Sequence, residues 1–334
     1  MTLSPRSNLP VLPAEFAVLS RQIGCDPMLV QGPGGNTSIK IGSTLWVKAS
    51  GTQLDRAGID EIFVAVDLDK ALAEIDGTGD GSCRAALVDP DTRLRPSIET
   101  TFHALLPQRL VFHYHSVHGL CHGIAVEGRR ALLKKLDGLD WALVPYARPG
   151  IPLTRQIRAA CGDRFPEILV LENHGMIVAG ECVVSIAETI EALERRLALP
   201  SPPNRQSAPP EIPGWVGLGA FARLATDPLS CARATAGSYY PDHVIFLGRA
   251  LKTVAENDLR TVPDGVGPAV IVRGSGVYMR PEAGLVPKAM LRCLHDVITR
   301  IPADWRLRPI GKADEDELLG WDAEKHRQKL AVAE

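Results

Sequence analysis

Six prolines fall within the sixteen residues LPSPPNRQSAPPEIPG, from Leu199 to Gly214. Proline fixes φ and removes a backbone donor, so neither a helix nor a sheet strand runs through such a stretch. The chain is therefore expected to divide into a first domain over 1–199, a semi-extended linker over 200–214 and a smaller α/β domain over 215–334. No internal repeat is visible.

Hydrophobic spacing then sets the elements. EFAVLSRQIG has helical periodicity, SIKIGSTLWVKAS reads as two strands turning at Gly42-Ser43, and EIFVAVDLDKALAE reads as a strand running into a helix. SIETTFHALLPQ is expected to be a short helix capped by Ser97, followed by a strand over Leu110–Ser116 and a helix over about 117–136. EILVLENHGMIVAG gives two short apolar segments, and VVSIAETIEALERRLA is an amphipathic helix. Beyond the linker, HVIFLG and AVIVRGSGVYM read as strands and LVPKAMLRCLHDVITRI as a helix.

Composition excludes some partners. With 37 basic and 39 acidic residues the net charge is −2, which gives no global attraction to nucleic acid or to an anionic membrane. No apolar run is long enough to span a bilayer, and the prolines and acid of MTLSPRSNLPVLPAEF do not suit a signal peptide, so a cytoplasmic protein is expected. The seven cysteines are scattered without a CxxC pair, which indicates neither a disulfide framework nor a thiolate zinc site.

Chemistry concentrates in VFHYHSVHG, Val111–Gly119. On a strand, positions i and i+2 share a face, so His113 and His115 project together while Phe112 and Tyr114 point the other way. Such a pair holds a metal ion, or is two buried, hydrogen-bonded histidines. His174, set between two apolar segments, has the same two readings. Three neutral imidazoles with an open position are a common arrangement for catalytic zinc. His118 and His122 share a helix face but lack the glutamate of HExxH and read as polar positions on or near that surface. Glu99 either favours the dipole at a helix start or, facing a metal, acts as a general acid or base, with His103 four residues on as a neighbour. Glycine-rich GPGGNTS, with KASGT and RPS, offers backbone N–H groups, the Asn36 amide and the hydroxyls of Thr37, Ser50, Thr52 and Ser97 as an anion cradle; tight hairpin turns explain the glycines equally. Neither GxxxxGK[ST] nor GxGxxG after a strand is present.

The ordered set GGNTSIKIGSTLWVKASGT, RPSIETTFH, VFHYHSVH, VPYARPG and LENHGMIVAG, over roughly the first 200 residues, resembles the class II aldolase/adducin family. That family includes fuculose-phosphate and rhamnulose-phosphate aldolases and ribulose-phosphate 4-epimerase. The resemblance implies a three-layer α/β/α sandwich around a largely antiparallel sheet, often assembled as a homo-oligomer, commonly a tetramer. It implies His113, His115 and His174 as ligands of Zn²⁺ or another divalent transition metal, Glu99 as catalytic acid/base, and Asn36, Ser50, Gly51 and Ser97 at phosphate-binding positions. The implied reaction is lyase cleavage of a small ketose phosphate or related sugar through a metal-stabilised enediolate. Epimerisation or decarboxylation at the same metal site, or a non-catalytic, adducin-like interaction role, are the alternatives. The chain departs from the family where two serines often precede the acid: here Ile98 follows Ser97. Tyr114 and Tyr146 are the tyrosines to consider as proton donors. SYYPDHVIFLG, GSGVYM and LGWDAEKHRQKL resemble the tail of the aldolase part of proteins fused to a short-chain dehydrogenase.

Overall fold

The computed structural model describes residues 9–77, 79–203 and 208–332, so part of the proline-rich stretch, 204–207, lies outside the described residues. The chain forms two compact units, one of residues up to Ser116 with Gly138–Arg196, the other of Val117–Asp137 with the residues from Leu197 onward.

In chain order the elements up to residue 197 are α1 (Ala14–Cys25), β1 (Asn36–Ile41), β2 (Thr44–Lys48), β3 (Phe63–Asp67), α2 (Leu68–Asp76), α3 (Thr100–Leu105), β4 (Leu110–Tyr114), α4 (Val117–Gly123), α5 (Val126–Lys135), β5 (Trp141–Val144), α6 (Ile151–Cys161), β6 (Ile168–Leu171), β7 (Gly175–Gly180) and α7 (Val183–Leu197). The first unit is built on a seven-stranded sheet of order β3-β2-β1-β4-β7-β6-β5. Every neighbouring pair is antiparallel except β5 with β6.

Side-chain alternation assigns the two faces. Val111, Leu169, Ile177 and Ala179 pack with Phe102 of α3 and with Leu153 and Ile157 of α6. On the neighbouring part of that face, Leu45, Val47, Val64 and Val66 pack with Ala71 of α2 and Ala104 of α3. Phe112 points the other way, where Phe16 of α1 meets it edge-on at 5.6 Å between ring centres. Gly180 meets Ile186 of α7 on that same side. This is the α/β/α sandwich with a largely antiparallel sheet.

The second unit holds α4 and α5 together with β8 (Val216–Gly217), α8 (Arg223–Thr226), α9 (Pro228–Ala236), α10 (Pro241–Leu247), β9 (Lys252–Thr253), β10 (Ala269–Val272), β11 (Gly276–Met279), α11 (Leu285–Arg300), α12 (Lys312–Gly320) and α13 (Asp322–Val332). Its four-stranded sheet runs β8-β11-β10-β9. Residues 117–137, grouped by the sequence division with the first domain, cluster here. The cause is a short antiparallel seam: Val126 N–H donates to Arg306, Arg308 N–H donates to the Ile124 carbonyl, and Ala125 bridges Leu307.

Three local expectations are corrected. The helix expected over 117–136 breaks at Ile124-Ala125, because that seam takes backbone groups a continuous helix would use. HVIFLG is not a strand but lies in α10, all of whose residues are buried; Pro241 in its first turn is preset for helical φ, which outweighs the β preference of Val244 and Ile245. The SIETTFHALL helix starts at Thr100, so Ser97 is not its N-cap; Glu99 occupies that position.

Candidate metal centre

The end of β4 and the turn joining β6 to β7 meet on the α3 side of the sheet. His113 pairs across the sheet with Ile177 of β7 and with Asn36 of β1. His115 follows one residue after β4 ends, and its side chain remains on the face of His113. His174 is delivered by a turn in which Asn173 takes a left-handed conformation (φ 53°), one that asparagine tolerates better than most side chains.

The three rings converge, with ring-centre separations of 5.0, 4.9 and 5.5 Å. One nitrogen from each lies within 4.8 Å of the other two. The Nε2 atoms of His113 and His115 are 3.2 Å apart. His113 Nδ1 lies 2.9 Å from the Met176 carbonyl oxygen, which can only accept, so Nδ1 carries the proton and the Nε2 lone pair faces the centre. Burial pushes the His113 imidazole down to about 3, against the pull of Glu99, so the ring is neutral and ready to act as a ligand. His174 Nδ1 is buried without a hydrogen-bond partner among the described residues, so that nitrogen is not spent on a protein group. Three convergent imidazoles suit a divalent transition metal.

Glu99 completes the cluster. Its Oε1 lies 3.4 Å from Nε2 of both His113 and His174. Burial opposes its ionisation, yet the imidazoles of His113 and His174 override this and hold the carboxyl well below the usual range. Ser97 fixes its backbone: Glu99 N–H donates to Ser97 Oγ at 3.2 Å, and Thr100 Oγ1 donates to the Ser97 carbonyl.

The remaining sequence candidates separate. Asn36 is fully buried, and neither its amide oxygen nor its nitrogen has a partner among the described residues. Ser50 N–H donates to the Arg95 carbonyl, and the neighbouring Ala49 bridges Pro96, so the SGT turn lies beside the turn carrying Ser97. Gly51 takes φ 79°, open to glycine at no cost. Two hydroxyls leave the anion cradle: Thr37 bonds Ser20 of α1 and Thr52 donates to the Ala49 carbonyl. His103 bonds Ser38 Oγ at 2.7 Å rather than Glu99. Tyr114 is fully buried and turned away from His113, as alternation requires. His122 bonds the His118 carbonyl one turn back, and His118 accepts from Leu199 N–H, both within the second unit.

Sequence reasoning passed over three groups. Gly175 keeps room beside His113 and His115, Gln31 donates from Nε2 to the His115 carbonyl, and Lys48 is buried with its ammonium on the carbonyls of Pro33 and Thr52. The glycine after His174 was a readable signal; the tertiary bonds of Gln31 and Lys48 had none.

Among the described residues no helix is long and apolar enough to cross a membrane. The family model of the class II aldolase and adducin N-terminal domain matches residues 14–199, more than half of the chain. A curated relative described as an uncharacterized oxidoreductase, YuxG of Bacillus subtilis (strain 168), is 28% identical over 195 residues, which are 52% of this chain and 27% of that protein. The chain thus spans about a quarter of the relative's length. Among solved structures, the N-terminal class II aldolase domain of a conserved protein from Thermoplasma acidophilum is 27% identical, with a TM-score of 0.49, covering 57% of this chain and 95% of that one. An aldolase II superfamily protein from Pseudomonas syringae is 17% identical with a TM-score of 0.40, covering 57% and 76% respectively. On the family match over 14–199, this chain belongs to the class II aldolase/adducin family.

Proposed function

We propose that the protein is a divalent-metal-dependent lyase that cleaves a carbon–carbon bond in a small ketose phosphate or related sugar. The observation that carries this reading is the carboxylate of Glu99, buried 3.4 Å from two imidazoles of a triad whose third member is His115. A carboxylate in that position has a use beyond favouring a helix start: it stands beside the point where a substrate carbonyl would be polarised.

His113, His115 and His174 are the proposed ligands, and zinc the preferred ion. Bound there, a divalent ion supplies Lewis-acid stabilisation of negative charge developing on a substrate carbonyl oxygen. Glu99 exchanges a proton at the adjacent carbon, the atom that keeps the bonding pair when the bond breaks and the other fragment leaves as an aldehyde. Burial around Glu99 excludes competing water. Asn36, Ser50, Gly51 and Ser97 orient the anionic end of the substrate, and the two unspent polar atoms of the Asn36 amide support that placement.

Metal analysis of the purified chain beside His113→Ala, His174→Ala and Glu99→Gln tests the ligand set. About one ion per chain is expected in the wild type and in Glu99→Gln, and none in the histidine variants. Among ketose phosphates screened for aldehyde release, Glu99→Gln should slow cleavage by about 10²–10⁴-fold. A wild type that takes up no metal on reconstitution, or a Glu99→Gln chain of full activity, overturns the reading. Product analysis separates cleavage from epimerisation and decarboxylation, which would use the same centre.

A further inference from the structure

We propose that a cavity beside β3 is a binding site for an amphipathic organic cation, an aromatic or aliphatic body carrying a protonated amine. Its floor is on the α1 side of the sheet, whereas the metal centre is on the α3 side. Leu45 and Val47 of β2 pack with α2 and α3, so alternation turns Trp46 to the other face, where it stands opposite Ala65 of β3. Phe63, two residues before Ala65, shares that face and meets Phe16 of α1 at 5.2 Å between ring centres.

Two segments close over this floor. Residues 9–12 run ahead of α1 and are pinned where Trp46 Nε1 donates to the Pro10 carbonyl at 3.0 Å. Along the edge of the sheet, Val88 N–H donates to the Ala65 carbonyl and Leu87 bridges Val66, which brings the segment holding Asp89, Thr92 and Leu94 against β3. The cavity has a volume of about 420 Å³, inside the range of roughly 300–1,000 Å³ usual for small-molecule sites. Leu12, Trp46, Phe63 and Leu94 give it apolar walls. Val11 also lines it and is 88% exposed, so apolar surface stays in water there until something covers it.

Charge selects the occupant. The ionisable side chains lining the cavity are Asp60, Glu61 and Asp89, and among the described residues its lining holds no lysine, arginine or histidine. Arg56 pairs with Asp60 at 2.7 Å, so three carboxylates stand against one guanidinium. An apolar body buries its surface against the indole and phenyl rings while its ammonium settles among the carboxylates. An anion of the same shape meets repulsion in that place. Trp46 adds a preference of the same sign: its N–H is committed to Pro10, and the aromatic face it offers attracts a cation.

The test is calorimetric titration of the purified chain with phenylbutylamine, phenylbutanol and phenylbutyrate, probes of one shape that differ in charge. The amine is expected to bind at least about fivefold more tightly than the alcohol, and the carboxylate most weakly, with the preference shrinking in high salt. Glu61→Gln, at an exposed position, should cut the advantage of the amine by about half. Leu12→Trp fills the cavity and should abolish binding with metal content unchanged, which separates this site from amine coordination at the histidine triad. Equal affinities for the three probes, or amine binding retained in Leu12→Trp, overturn the proposal. So does a chain that binds none of them; if that chain sediments as an oligomer that Leu12→Trp splits, the cavity belongs to a second copy of the chain. Should Leu12→Trp fail to fold, Thr92→Trp fills the cavity from the opposite segment and is read in the same way.

Discussion

Gly175 lies so close to Tyr114 that a Cβ built on it would stand 2.6 Å from the Tyr114 carbonyl oxygen. The same atom would sit 3.2 Å from His113 Cε1 and 3.1 Å from His115 Cδ2. The glycine after His174 is thus the gap into which β4 and two imidazoles fit. Gly175→Ala should destabilise the fold by about 1–3 kcal/mol, the usual cost of overpacking against atoms that cannot retreat. It should also displace the His113 and His115 rings and weaken metal binding. Urea unfolding and a chelator competition measure the two effects; a variant with unchanged midpoint and unchanged metal affinity would show that β7 can shift to absorb the methyl group.

Two histidines of the second unit make stability depend on pH. Burial holds His243 down to about 3 and His122 to about 4, the latter against a hydrogen bond to the His118 carbonyl. In the unfolded chain both titrate near 6.5. As pH falls below that value the unfolded state gains protons that the folded state refuses, so stability is full above about 6.5 and is lost on the way down to 3–4. At pH 5 each ring should cost about 2 kcal/mol relative to neutral pH. His243→Phe should flatten the dependence measured by urea unfolding at pH 7 and pH 5. Parallel curves for variant and wild type would mean that the ring is protonated in the folded chain after all.

How much of this was legible in the sequence depends on the range of the interaction. The HxH alternation of His113 and His115 is a property of the strand itself, so the shared face was readable from spacing alone. His174 could join them only through the order of motifs along the chain, because no local rule brings residue 174 to residue 113. The strand-to-helix change in HVIFLG and the break at Ile124-Ala125 were hidden for the opposite reason. In HVIFLG the β preference of Val244 and Ile245 yielded to a helix that Pro241 starts two residues before that stretch, and at Ile124-Ala125 a tertiary partner, the backbone seam to residues 306–308, overrode a clear helical preference. The anion cradle lay between these cases. Glycines marked where turns would be, but which hydroxyls they leave pointing inward is set by bonds such as Thr37 to Ser20 and Thr52 to Ala49.

Glu194 of α7 gives a titration of the opposite sign. Burial raises its carboxyl to about 7, the nearby Asp26 charge pushes the same way, and a hydrogen bond with Ser116 opposes them. One carboxylate oxygen is buried without a partner among the described residues. In the unfolded chain the group titrates near 4.5. Between these values the folded state keeps a proton that the unfolded state has released, so the contribution is favourable below about 4.5 and is lost as pH rises through 7. Above that window the folded chain carries a buried charge at a cost of about 3 kcal/mol. Glutamine mimics the protonated acid and cannot ionise. Glu194→Gln should therefore match the wild type in urea unfolding at pH 4.5 and exceed it by about 2–4 kcal/mol at pH 8. A difference that stays constant across that range would show that the carboxyl is already ionised in the fold, held by partners stronger than Ser116.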